Sequence, residues 1–475
     1  MNKNLNLILL ILILGLAFYL RVTGITWGLP TKNLALTSYH ADEPAVFFTF
    51  EEIKRNKTIF PPPESFFYWG PFYFYMVGVA IGIANFIGFV SLGSRDFFIS
   101  HLAEADKLYI IARLVTVFAG VATVYLLYLI GKNLYNKKIG LLAALLMAIL
   151  PGHVIGSHYA KADVPVCLWI TLTLYFSVMI LIKGNLKFYI LSGLSLAVAL
   201  ATKLNGGVAV FAILTAYILG NTQKKIFRSM FSRNIILTFV VFLISFLILD
   251  PFALLYFPNF KHWVSTIILP AKEPTLWNIG WTEPLWLRYI TLILFSGMGK
   301  AVFVFFVIGF LICFLNFNKN KADAFLLIST AIIYLIISLP KMQMVMYSLP
   351  PAPFVAIVSV RMFEFEYLKF SEKYKTILSL VLFFILFVYT FSYTASYVNL
   401  MKTKNVREEA SEWIDHNIPK TAIIGISKSY YWTPSIIRQY NPPYKVLAGG
   451  GIQSHLDESV RGLKKVIPIA DYIVI

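Results

Sequence analysis

Charge is what this sequence has least of. Only 13% of its 475 residues are Asp, Glu, Lys or Arg, against 58% hydrophobic, and the mean hydropathy is +0.73. So little charge excludes an ordinary water-facing globule. Repeated apolar runs of roughly 16–23 residues read instead as membrane helices. Acids are the scarcer sign, 23 against 41 basic residues, for a formal net charge of +18. The basic residues cluster in short loops between apolar runs, where they act as orientation signals. Nucleic acid is therefore not an expected partner. Cysteine is nearly absent: Cys167 and Cys313 both lie inside apolar runs, which excludes a disulfide framework. Internal repeats and low-complexity linkers are missing. So is a small-residue cleavage signature after the first apolar segment, about Asn4 to Thr23, which reads as a retained signal anchor.

Basic loops orient the rest. Lys132, Lys137 and Lys138, then Lys183 and Lys187, then Lys224, Lys225, Arg228 and Arg233, then Lys319 and Lys321, and finally Arg361 to Lys375 form five clusters. Placing all five in the cytoplasm gives about eleven spans, a cytoplasmic N-terminus, and outer loops at 24–108 and 251–298. Pro71 to Val90 is apolar enough to cross, yet crossing would invert every later loop. It is read as a juxtamembrane or re-entrant helix, preceded by the interfacial aromatics Phe66, Phe67, Tyr68 and Trp69. The second outer loop carries Trp263, Trp277, Trp281 and Trp286, suiting either an interfacial anchor or a lid. From Tyr397 charge rises and apolar runs shorten to strand length. Strands are expected at 421–426, 444–447 and 471–475, and helices at 405–416 and 455–465. The expectation is a polytopic α-helical membrane protein. Residues 1–396 form its transmembrane domain, and 397–475 a small α/β extracytoplasmic domain. The chain stops within an apolar strand, which predicts that the natural domain continues past Ile475.

Against this apolar background four polar motifs stand out, all at the outer face of the expected topology. The first is Ser38-Tyr39-His40-Ala41-Asp42-Glu43-Pro44. The second is His158-Tyr159-Ala160-Lys161-Ala162-Asp163-Val164-Pro165. The third is Ala201-Thr202-Lys203-Leu204-Asn205-Gly206-Gly207, and the fourth runs from Lys341 to Pro353 with Tyr347 and Pro350. Acids beside a bilayer are costly unless solvated, paired or used, and a lysine inside a long apolar stretch needs an anionic partner. Asp42 and Asp163 supply carboxylates for acid–base work, and Lys203 supplies a point charge for a phosphate. An anionic lipid substrate fits that set, with its tail in the bilayer. His153, His158 and His262 either ligate a metal with Glu43 or Glu64, or are hydrogen-bonded interfacial histidines. Their spacing matches no zinc signature. A divalent metal stays a candidate cofactor, with Glu64 and His262 as its candidate ligands.

At these motifs the chain resembles the GT-C glycosyltransferases. It is most similar to the branch of dolichyl-phosphate-mannose protein mannosyltransferases and lipid A aminoarabinose transferases, over about residues 1–400. The resemblance rests on Asp42-Glu43, Arg113, Asp163-Val164-Pro165, Ala201-Thr202-Lys203 and the Tyr347/Pro350/Pro353 stretch. It implies a polyprenyl-phosphate sugar donor and Asp42 as catalytic base with Glu43 beside it. Asp163 would assist, and Lys203 and Arg113 would be candidates for the donor phosphate. Tyr347 and His158 complete the expected substrate contacts. The sequence departs from the family at Met346, where many relatives carry Arg, and at Pro61-Pro62-Pro63-Glu64, where a basic residue is usual. The implied reaction is inverting transfer to an acceptor hydroxyl on protein, glycolipid or polysaccharide. It would occur at the extracytoplasmic face of the membrane that holds the protein, the plasma membrane in a prokaryote. The competing reading is a transporter or lipid flippase without covalent chemistry, which predicts functional charges near mid-span.

Overall fold

The structure is a computed structural model describing residues 3–58, 69–220, 232–268, 284–340, 343–364, 371–426, 445–448 and 471–474. Helix α1 spans Lys3–Val22, α2 Pro44–Arg55, α3 Pro71–Phe86, α4 Leu102–Leu134, α5 Lys137–Ala148 and α6 Pro151–Ser157. Then come α7 Asp163–Lys183, α8 Leu186–Thr202, α9 Val210–Gly220, α10 Arg233–Leu249 and α11 Phe257–Ile268. Next are α12 Lys300–Leu315, α13 Lys321–Ile337, α14 Ala352–Val360, α15 Glu372–Leu400 and α16 Val406–Asn417.

Among the described residues four helices are long and apolar enough to cross a membrane: Asn4–Val22, α4, α7 and α15. A fifth results if Leu285–Met298 and α12, bent by 118° at Gly299, are taken as one span. Five shorter apolar helices of 10–17 residues accompany them among the described residues. Several expected spans are shorter apolar helices, because residues inside the apolar runs break them. Pro151 splits the run 139–157 into α5 and α6, since proline has no N–H for the helical ladder. Lys203, extended at φ −161°, separates α8 from a short 3-10 turn leading into α9. Gly299 takes φ +89°, a conformation that L side chains rarely adopt.

Helix α3 sits where a non-crossing segment was expected. Its length is about 24 Å at 1.5 Å per residue, short of a hydrocarbon core of about 30 Å. Tyr73, Phe74, Val77, Ile81 and Ala84 form a buried stripe at helical spacing, while Val79, Ile83 and Phe86 are exposed. Polar caps fix other helix starts: Asn136 accepts from Ile139 N, Asn320 from Ala322 N and Asn405 from Arg407 N.

Helix α4 is the axis of the bundle and packs against α1, α3, α5 and α7. Beyond α15, three short strands, β1 Ile423–Ile426, β2 Lys445–Ala448 and β3 Tyr472–Val474, form a parallel sheet in the order β2-β1-β3. They coincide with the expected strands to within a residue or two. The expected helix at 455–465 lies outside the described residues, as do Phe66, Phe67, Tyr68, Trp277 and Trp281.

At the C-terminal end of α4 a buried ionic cluster ties three elements. Arg361 donates from Nε and Nη2 to the Asp323 carboxylate at 2.8 and 3.1 Å, and from Nη1 to Glu364 at 2.6 Å. The Tyr135 hydroxyl donates to Asp323 at 2.5 Å. Removing one partner of a buried pair strands the other charge. Arg361→Met should therefore lower stability by about 3–5 kcal/mol, read as a lower unfolding midpoint in lipid. An unchanged midpoint would contradict this view of the cluster.

Candidate active site

The sequence Asp42-Glu43 puts two carboxylates side by side, but the fold sends them to different environments. Glu43, at the start of α2, is fully buried. Its oxygens accept from Arg113 Nε at 2.8 Å, Arg113 Nη2 at 2.6 Å, Ser38 Oγ at 2.6 Å and the Ala160 N–H at 2.7 Å. Burial pushes the Glu43 carboxyl up, but the Arg113 charge and these hydrogen bonds together hold it below its ordinary range. Arg113 is also fully buried, and its Nη1 donates to the Ile25 and Trp27 carbonyls at 2.6 and 2.8 Å. The expectation that Arg113 meets a donor phosphate and that Glu43 takes part in the chemistry is therefore corrected. Each is consumed by the other, in a pair that anchors the loop.

Asp42 faces the other way. Its side chain is 46% exposed, and its Oδ2 accepts from Lys161 Nζ at 2.5 Å. Partial burial raises its pKa, but the Lys161 charge and hydrogen bond outweigh this, and the group lies below the ordinary carboxylate value. Lys161 Nζ is also 3.9 Å from Asp163 Oδ2, and Asp163 Oδ1 accepts from Lys203 Nζ at 2.6 Å. Lys203 Nζ in turn lies 5.7 Å from the centre of the Tyr347 ring. The result is an alternating series, Asp42, Lys161, Asp163, Lys203, capped by an aromatic face. Lys161, Asp163 and Lys203 are buried, and only Asp42 is open.

Four separate elements build this series. Asp42 comes from the loop before α2, and Lys161 from the turn between α6 and α7. Asp163 is the first residue of α7, where the helix dipole favours an anion. Lys203 is at the break after α8. That break is held from outside: Trp69 and Lys203 pair as an antiparallel bridge, and Gly70 N donates to Thr202 O at 3.0 Å. A Cβ on Gly70 would meet Ala201 O at 2.0 Å, so only glycine permits this approach.

Of the expected site residues, Asp42, Asp163, Lys203 and Tyr347 are brought together. His158 is not. It is fully buried, with Nδ1 2.8 Å from the Val154 carbonyl and Nε2 2.9 Å from the Thr23 carbonyl. Burial outweighs those carbonyls and pulls its pKa to about 4. His158 is a scaffold residue. His153 is also buried and bonds Arg21 Nη2 through Nδ1 at 2.8 Å. Sequence reasoning missed Lys161. The signal was present, a basic residue two positions before Asp163, but only the carboxylate was singled out. It also missed His40, which accepts from Asp42 N–H through Nδ1 at 3.2 Å and lies 4.3 Å ring to ring from Tyr159. Burial first, and then the Lys161 charge, lower the His40 pKa. Lys161 Nζ lies 3.5 Å from Met346 Sδ. Positive charge thus reaches the Met346 position from a different element.

Among the described residues no group of three or more His, Cys, Asp and Glu side chains can hold a metal. His262 is exposed on α11, and Glu64 lies outside the described residues. Asp42 already has an ammonium as its cation.

With this geometry in place, comparison with known proteins gives a consistent result. The family described as dolichyl-phosphate-mannose-protein mannosyltransferase matches residues 102–249. No curated protein sequence matches the chain. Among solved structures, ArnT from Cupriavidus metallidurans bound to undecaprenyl phosphate matches with TM-score 0.56 and 12% identity, over 99% of this chain and 90% of that one. The apo oligosaccharyltransferase of Archaeoglobus fulgidus matches with TM-score 0.55 and 13% identity over 92% of this chain. The chain spans 64% of that protein's length. AglB from Archaeoglobus fulgidus, in complex with an inhibitory peptide and a dolichol-phosphate, matches with TM-score 0.53 and 13% identity, over 98% and 68% of the two chains. These likenesses define the architecture: the chain is an integral membrane protein with the GT-C fold. The family match covers residues 102–249, less than half of the chain.

The two carboxylates should separate by mutation. Glu43→Ala strands buried Arg113 and should cost about 3–5 kcal/mol of stability. Asp42→Asn loses a half-exposed pair and should cost no more than about 1 kcal/mol. Unfolding midpoints of the two variants, measured side by side in lipid, check this; equal losses would contradict it.

Proposed function

We propose that this protein is a membrane glycosyltransferase moving a sugar from a polyprenyl-phosphate donor to an acceptor hydroxyl. Asp42 is its general base, at a site on the extracytoplasmic face. The observation that carries the reading is the exposure of Asp42 at the open end of an otherwise buried carboxylate–amine series. A base must reach the solvent-side acceptor, while the cations that receive a leaving phosphate must be shielded from water.

The steps follow from the placement. Asp42 accepts the proton of the acceptor hydroxyl as its oxygen attacks the anomeric carbon. The bond from that carbon to the phosphate oxygen breaks, through an oxocarbenium-like transition state. The polyprenyl phosphate leaves with its charge balanced by the buried amines, Lys203 foremost. A single displacement inverts the anomeric configuration. Tyr347 offers its ring beside Lys203 as a wall for the sugar or the phosphate. A lipid tail fits the apolar outer faces of the helices. The structural neighbours that hold undecaprenyl phosphate or dolichol-phosphate support the donor class. The transporter reading calls for charges at mid-span, whereas Asp163 and Lys203 stand at the ends of α7 and α8.

The test is transfer of labelled sugar from a polyprenyl-phosphate donor by purified protein in lipid, with a membrane extract as acceptor pool. Asp42→Asn should lose about 10²–10⁴-fold in rate. Wild-type turnover in that variant would remove Asp42 as base, and failure of the wild type to bind the donor would remove the donor class. The pH profile is a second check. A carboxyl lowered by Lys161 stays ionised until the pH falls below 3.8, its ordinary value. The acid limb of kcat/KM, which reports the free enzyme, should therefore lie below that pH. A limb in the neutral range would contradict it.

A further inference from the structure

Lys161 has two seats within reach. Its Nζ is bonded to Asp42 Oδ2 at 2.5 Å and stands 3.9 Å from Asp163 Oδ2. That second oxygen is buried and has no hydrogen-bond partner among the described residues. A buried carboxylate oxygen without a donor is costly, and Lys161 would satisfy it by a shift of about 1 Å, the difference between an ion contact and a charge-assisted hydrogen bond. Lys161 Nζ also lies 3.5 Å from the soft sulfur of Met346.

The resting arrangement is poorly suited to catalysis at Asp42. A carboxylate whose oxygen is held by an ammonium is a weak proton acceptor. The four charges of the series also sum to zero, so an arriving phosphate finds both amines committed. We propose that Lys161 is a donor-dependent switch. In the empty site it holds Asp42, and when the donor phosphate enters it moves toward Asp163 and the phosphate, releasing Asp42 to act as base. The inference rests on the polyprenyl-phosphate reading above. It makes Lys161 a positioning residue that couples donor binding to base activation, so that Asp42 is unmasked only when a donor is present.

If Asp42 and phosphate compete for one amine, removing the Asp42 charge must favour the lipid phosphate. The probe is undecaprenyl phosphate, titrated into the purified full-length protein in lipid. Asp42→Asn should bind it more tightly than the wild type by up to about fivefold, the range expected for release of a partly exposed ion pair. In a Lys161→Met background the same Asp42→Asn change should leave affinity unaltered. Equal tightening in both backgrounds would mean simple repulsion between Asp42 and phosphate, and would overturn the switch. No tightening in either would also overturn it. Absence of binding by the wild type would instead overturn the donor reading itself, and this inference with it. A measurement on the unmodified protein needs no variant to fold. The acid limb of kcat, which reports the donor-bound enzyme, should lie at higher pH than that of kcat/KM, because Asp42 has lost its ammonium. Coincident limbs would overturn the proposal.

Discussion

The buried Glu43–Arg113 pair is the interaction on which the site depends. Two charges removed from water are tolerable only when each is fully bonded, and here every Glu43 oxygen and three nitrogens of Arg113 are engaged. The pair is the last of three contacts along one face of α4. Asp106 accepts from Thr31 N and Oγ1 at 2.9 and 2.5 Å, Tyr109 donates to Leu36 O at 3.1 Å, and Arg113 closes on Glu43. Residues three and four apart share a helix face, so one stripe of α4 holds the chain at Thr31, Leu36 and Glu43. With Glu43 fixed to α4, its neighbour Asp42 is left half-exposed, where Lys161 meets it.

The same logic extends outward. The Ala160 N–H bonds to Glu43, which sets the turn carrying Lys161 and Asp163 relative to the acidic loop. On the far side, Arg407 of α16 lies 4.7 Å over the Tyr39 ring, and the Tyr159 and Tyr397 hydroxyls share a hydrogen bond of 2.7 Å. The segment beyond α15 thus touches the loop that bears Asp42. A scaffold of buried, satisfied polar contacts surrounds a short series in which one carboxylate is open and another has a vacant lone pair. That contrast separates structural polarity from reactive polarity in this chain.

Much of this was legible in the sequence because charge is so rare in it. An Asp, Lys or Tyr that interrupts an apolar background is conspicuous, and Asp42, Asp163, Lys203 and Tyr347 did converge. What the sequence did not reveal is who pairs with whom. Arg113 and Glu43 are 70 residues apart, and nothing local says that they neutralise each other rather than a substrate. His158 looked like a substrate contact because it opens a polar motif, yet it points back at the Thr23 carbonyl. Lys161 went unremarked because a lysine in a loop reads as solvated until the loop is folded inward. The breaks within the apolar runs were hidden for a related reason. Hydropathy sums over a run, while Pro151 and the extended backbone at Lys203 break it at single residues. Strands β1 to β3 were readable from short apolar runs between turn residues.

The central claim is that the Asp42, Lys161, Asp163, Lys203 series receives the phosphate of a lipid-linked sugar. Photo-crosslinking with a polyprenyl phosphate carrying its reactive group next to the phosphorus, followed by peptide mapping of the protein in lipid, tests it most directly. Labelling confined to the segments 38–44, 158–165, 201–207 and 345–348, and competed by unlabelled lipid phosphate, is the predicted result. Competed labelling that maps elsewhere in the bundle would contradict the account.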